Sequence, residues 1–133
     1  MANLLYPKYK EAIVAGTTLT LSAAVVKVCL VDTGAYTYAS THANLSDVPA
    51  AARIWTSPAL TAKTFTNGTF DAANTTLTAA TGVQSEALVL YASGTTSVSS
   101  KLVCYIDTGT GLPITPDGTD IVISWNTSGI FAI

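Results

Sequence analysis

The sequence predicts an all-β protein, an antiparallel β-sandwich with a short N-terminal helix. Three observations carry that expectation. Apolar, partly alternating runs crowd the second half of the chain, at residues 86–91, 101–107 and 120–125. They are filled with β-branched and aromatic residues and bounded by small polar ones, the composition of strands. The connectors between them are rich in turn formers, and the simplest topology is a three-stranded antiparallel meander. Finally, strand-like runs recur throughout the chain with turn signals between them, the pattern of a layered β-fold. The 133 residues contain no internal repeat and no linker, so a single domain over 1–133 is expected, with a helix at 3–16 and strands over 24–133.

Taken in order, Leu5, Tyr9, Ala12 and Ile13 recur at the spacing of one helix face. Pro7 is tolerated in a first turn but not deeper, and Gly16 is placed to end the helix in a left-handed conformation. So short a helix must be held by packing, against the sheet or a neighbouring subunit. Residues 24–32 are apolar at nearly every position, as expected of a strand covered on both faces, with Lys27 the exception. Ser40 is placed to cap a short helical turn running through His42 and Leu45 toward Asp47, and Pro49 stops it. Residues 50–56 form a strand carrying Ile54 and Trp55, limited by Pro58. Residues 60–66 and 69–72 meet across Asn67-Gly68, the strongest short hairpin signal, because both turn positions need positive φ. Residues 75–79 make a further short strand around Leu77. The apolar stretch 130–133 is expected to dock on the sheet or on a partner.

Composition narrows the function. Charged residues make up 11% of the chain, less than half of the roughly 25% usual for a globular protein. Interface centres are depleted of charge in this way, so much of the surface is expected to meet other subunits. The net charge is -2 and no basic run exists, which argues against nucleic acid as a partner. No apolar run approaches the roughly 20 residues of a membrane helix, and no signal peptide is visible. Cys29 and Cys104 each lie in an apolar strand-like run and are expected to be buried as small hydrophobes; a disulfide would require those strands to be neighbours.

Motifs for chemistry are sparse. His42 is the only histidine, and no Gly-x-Ser-x-Gly elbow is present, so no catalytic residue is assigned and an enzyme is not expected. One histidine and two strand cysteines make no ordinary zinc site. Asp107, Asp117 and Asp120 flank one long connection but lack the spacing of a calcium loop. No metal or other cofactor is expected. The sequons at Asn44, Asn67, Asn74 and Asn126 follow from a Thr- and Ser-rich composition. Trp55, Trp125 and the six tyrosines would serve either as a carbohydrate platform or as core and interface anchors.

Several stretches spread over nearly the whole chain carry a resemblance. They are Leu5-Tyr6 followed by Lys8-Tyr9-Lys10-Glu11-Ala12, then Lys27-Val28-Cys29-Leu30-Val31-Asp32, and Tyr36-Thr37-Tyr38 through Thr41-His42 to Leu45-Ser46-Asp47-Val48-Pro49. Glu86-Ala87-Leu88-Val89-Leu90-Tyr91 and Ile106-Asp107-Thr108-Gly109-Thr110-Gly111-Leu112-Pro113 continue it. In these the chain resembles a family of small tailed-bacteriophage proteins encoded among virion genes. Members of that family often carry a second glycine near the position of Thr119, and the family supplies no catalytic motif to transfer. The resemblance implies a structural component of a virion assembled in the bacterial host cytoplasm. A capsid decoration or cement protein is the leading expectation, with the major capsid protein or other virion proteins as partners and homo-oligomers within the particle. A tail, neck, baseplate or fibre-base component makes the same demands on sequence, and a carbohydrate-binding module for host attachment is the alternative from another class. Tyr6, Tyr9, Trp55, Leu112, Pro113, Ile114, Phe131 and Ile133 are the expected interface residues. The 108–120 connection, much longer than the roughly 2 to 5 residues of a hairpin loop, is the expected place of contact with a neighbour.

Overall fold

A computed structural model describes residues 3–16 and 21–132. The all-β antiparallel class expected from the sequence is the one the chain adopts. In chain order the elements are β1 (Leu4–Leu5), α1 (Pro7–Val14), β2 (Val25–Val31), β3 (Arg53–Thr56), β4 (Thr69–Phe70), β5 (Thr75–Leu77), β6 (Ala87–Ser93), β7 (Lys101–Ile106), β8 (Ile121–Ile123) and β9 (Phe131–Ala132). Five of them form the main sheet in the order β1-β7-β6-β2-β3. The other four form two separate ribbons, β4-β9 and β5-β8. Phe70, Leu77 and Ile123 of the ribbons join the same core as the sheet.

The central strand is β6, and its sequence explains why. Its first six residues are all buried, so both of its faces are covered. Register divides the sheet residues between the two faces. Val28 and Leu30 pair with Leu90 and Leu88, and Cys104 pairs with Leu90, which puts them on one face. Cys29 and Tyr105 pair with Val89 and share the other. Consecutive strand residues point to opposite faces. The two cysteines therefore point away from each other with β6 between their strands, and both thiols are free and buried.

The three-stranded meander does not form. β6 and β7 pair as expected, but β8 pairs with β5. The edge of β7 that β8 would occupy is taken by β1, with Leu4 opposite Tyr105 and Leu5 opposite Cys104. Tyr6 extends this pairing by donating its N–H to the Val103 carbonyl at 3.0 Å. Pro7 then ends the pairing, since it has no N–H to give, and opens α1 from its first position. The helix is thus shorter than the expected 3–16. Gly16 adopts φ 71° just beyond it, the left-handed conformation expected at that position. Tyr9 is its buried side chain, while Ile13, expected on the apolar face, is 37% exposed.

Three local expectations are also corrected. The turn before Pro49 covers Leu45–Asp47 and is capped by Asn44, not Ser40: Asp47 accepts from the Asn44 and Ala43 N–H groups. The strand expected at 50–56 begins only at Arg53, after a single 3-10 turn at Ala50–Ala52. Asn67 and Gly68 both have positive φ, as their sequence requires, but they lie in a 3-10 turn. Thr64 and Asp71 close that loop with two backbone hydrogen bonds of 2.9 and 3.1 Å, while β4 turns to pair with β9. Gly129 permits that pairing, because a Cβ there would collide with the Thr69 side chain.

The centrality of β6 has a measurable consequence. Leu90→Ala is expected to lower the unfolding free energy by about 2–5 kcal/mol in chemical denaturation. Val122→Ala, on the exposed side of β8, is expected to stay within about 0.5 kcal/mol of the parent. Equal effects would contradict the placement of β6 at the centre.

Candidate functional site

Two aromatic clusters lie on opposite faces of the main sheet, joined by the N-terminal segment. Tyr6 shares a face with Tyr105, and its ring lies 6.5 Å from it, edge-on. Tyr36 and Tyr38 complete this group, at 6.3 and 5.5 Å from Tyr105. The chain then passes around the β7 side of the sheet, and α1 packs on β7 with Tyr9 beside Cys104.

The first cluster contains a hydrogen-bonded chain. The Tyr6 and Tyr36 hydroxyls are 2.9 Å apart, and the Tyr36 hydroxyl is 2.9 Å from His42 Nδ1. Burial pushes the Tyr6 phenol far up, and the bond to Tyr36 adds to this. Burial also pushes Tyr36 up, to about 12, although the same bond opposes the shift there. Neither phenol is a base at neutral pH. The chain joins the 36–42 segment to the N-terminal strand and satisfies a hydroxyl that is 0% exposed.

The second cluster opens to the surface. Tyr9, Phe131, Phe70 and Phe65 form a continuous row of rings. Tyr9 meets Phe131 edge-on at 6.2 Å, Phe131 lies 5.2 Å from Phe70, and Phe70 lies 5.4 Å from Phe65. The row lines an apolar groove of about 350 Å³, completed by Leu21, Ser22, Gly68 and Thr69. Phe70 is buried at its base and Phe65 is 43% exposed at its rim. Lys63 holds one wall in place by donating from Nζ to the Leu21 carbonyl at 2.8 Å and to the Ala24 carbonyl. Beside it, α1 exposes Ile13 and, at 88%, Val14.

The structure brings together two of the expected interface residues, Tyr9 and Phe131. Tyr9 is itself buried, at 4% exposure, as part of the groove lining. Tyr6 is a core residue, so its ring is not offered to a partner. Trp55 is half-buried on β3 opposite Leu30. Pro113 is exposed, whereas Leu112 and Ile114 are half-buried, and Ile114 is bridged to Ser85 by two backbone bonds of 2.7 and 2.9 Å. Ile133 lies outside the described residues. Leu21, Phe65 and Phe70 were not expected in the site. The Asn-Gly signal located the loop carrying both phenylalanines, but gave no indication that β4 would pair with β9.

Trp125 donates from Nε1 to the Ala73 carbonyl. Burial raises both thiols, Cys104 to about 12. Among the described residues, no group of three or more His, Cys, Asp or Glu is placed to hold a metal ion. No protein-family model matches this chain, and no curated protein matches its sequence.

Two predictions follow from the tyrosine chain and its surroundings. Tyr6→Phe removes one hydrogen bond and is expected to cost about 1 kcal/mol. Tyr36→Phe leaves the buried Tyr6 hydroxyl without that partner and is expected to cost about 1–3 kcal/mol more. The double variant should be less destabilised than the sum of the two, a coupling measurable in a double-mutant cycle by denaturation. Separately, hydrogen bonds from the Asn44 and Ala43 N–H groups hold the Asp47 carboxyl below its ordinary value. A depressed folded-state pKa stabilises the fold above the ordinary carboxylate value and is lost as pH falls through the folded one. Asp47→Asn should therefore flatten the fall in stability below about pH 4, read from denaturation midpoints across the acid range.

Proposed function

We propose that this protein is a structural component of a tailed-phage particle, seated on the shell as a capsid decoration or cement protein. The observation that carries the reading is the aromatic groove beside α1, on a chain with only 11% charged residues. The resemblance to small virion proteins supports the same conclusion. The partner is the major capsid protein, which presents an apolar side chain to the groove and covers Phe65 and Ile13. Such a contact is driven by apolar area and by an aromatic anchor, without chemistry. A surface poor in charge has few ions to strip of water when the contact closes, so the burial is opposed by little desolvation.

Cementing acts by tying neighbouring shell subunits together against the pressure of the packaged genome. Particles lacking the protein are expected to assemble, and to release their DNA at a lower temperature or on milder osmotic shock than complete ones. Phe65→Asp, which places a charge at the exposed rim of the groove, is expected to prevent occupancy while leaving the fold intact by circular dichroism. Cryo-electron microscopy of purified particles decides the location. Hundreds of copies spread over the shell support the reading. A small number at the tail or a vertex would move the same docking chemistry to the tail, neck or baseplate. Unchanged particle stability on loss of the protein would remove the cementing role.

A further inference from the structure

The groove uses one side of α1, and among the described residues the other side is exposed as well. Pro7, Lys10, Glu11 and Val14 follow the i, i+3, i+4, i+7 spacing of one helical stripe and border a shallow depression. Lys8 and Lys10 place two of the six cations of the chain within three residues, and with Glu11 they leave α1 at a net +1. Lys8 and Glu11 pair at 2.8 Å on the exposed surface, and Val14 stands beyond them.

The 107–120 connection has the complementary character. Asp107 is already engaged within the chain, accepting from the Thr108 hydroxyl, and beyond it the connection holds Asp117 and Asp120 and no cation, a net -2. It is also laid down in a fixed shape. Asn3 binds the Asp107 and Thr108 N–H groups, each at 2.9 Å. Ile114 pairs with Ser85, Gly118 donates to the Ala80 carbonyl at 2.7 Å, and Asp120 accepts from the Ala79 N–H at 2.8 Å. The surface it presents is therefore preformed, and includes the exposed Pro113 beside Leu112.

We propose that α1 of one copy docks on the 107–120 connection of the next, with Lys8 and Lys10 against Asp117 and Asp120 and Val14 against Leu112 and Pro113. The contact joins two different patches, so it is head-to-tail, and repetition gives rings or rows rather than a closed pair. It rests on the particle reading above, in which the groove faces the shell and this stripe faces a neighbour. An eight-residue helix spans only about 12 Å, so the area falls short of the roughly 800 Å² per partner of a stable complex. Association in free solution is accordingly weak, and copies held side by side on a shell complete it through their high local concentration.

Sedimentation velocity of concentrated protein in low salt tests the contact. The parent chain is expected to show reversible association that fades as salt shortens the Debye length. Lys8→Glu with Lys10→Glu, and separately Thr110→Lys with Thr115→Lys, are each expected to weaken it about tenfold. The threonine pair is chosen because Asp117 and Asp120 accept hydrogen bonds that hold their own turns. Mixing the two variants is expected to restore association, since each supplies the charge its partner lacks. A parent chain that remains monomeric, a threonine variant that associates like the parent, or a mixture that does not recover would overturn the contact. Shell occupancy, measured as above, is independent of these outcomes and reports on the particle reading alone.

Discussion

The organisation of this molecule depends on how the outer edge of β7 is closed. An unpaired strand edge exposes a row of backbone donors and acceptors, and a protein must cover it or shorten it. Here three residues, Leu4 to Tyr6, cover it. Proline follows at once and ends the pairing. Alternation along those three residues sends the Tyr6 ring to one face of the sheet, and the helix that follows lies on the other. One short edge strand thus contributes to both aromatic clusters. It also excludes β8 from the main sheet and leaves it to pair with β5.

The two clusters use the same residue class for opposite ends. The Tyr6 cluster is closed: its innermost hydroxyl is fully buried and is satisfied by another tyrosine, which in turn reaches the half-buried His42. A buried polar network of this kind favours one arrangement of its members, because any other leaves a hydroxyl unpaired. The phenylalanine row on the other face has no hydroxyl to satisfy beyond that of Tyr9. It can therefore end at solvent, with Phe65 exposed, at no cost in hydrogen bonding. The closed cluster fixes the N-terminal segment to the sheet, and the open one is free to accept a side chain from outside.

The legible parts of the fold were those where neighbours in sequence determine the answer. β2, β6 and β7 announced themselves as long apolar runs because both of their faces are covered. Gly16 marked the end of the helix by backbone sterics alone, whereas the expected start at residue 3 missed the strand that Pro7 ends. Asn67-Gly68 gave the correct sign of φ for the same reason. What stayed hidden was partner choice. Two-residue strands such as β1, β4 and β9 carry no period, and their pairing is decided by which edges remain open once the long strands have assembled. Tyr6 illustrates the loss at the site. It was expected at an interface, and only the register with Val103 shows that the ring turns inward. Tyr9 and Phe131 were legible as apolar residues in terminal segments, but Phe65 and Phe70 entered the site through a loop and ribbon in which Phe70 pairs with Phe131, 61 residues on.

The low charge of the chain acquires a physical meaning from this arrangement. A short helix with one buried side chain is held by its seat on β7, by Tyr9 against Phe131 and by the edge strand that leads into it. More charge on its free flanks would improve solubility but would also raise the cost of removing water from either side of it. Leaving Ile13, Val14 and Phe65 exposed and spending only Lys8, Lys10 and Glu11 on the helix keeps both flanks inexpensive to bury. Charge is what normally keeps such surfaces apart in solution. On the particle reading proposed above, packing among neighbours would relieve the chain of that constraint, and its low charge fits that reading.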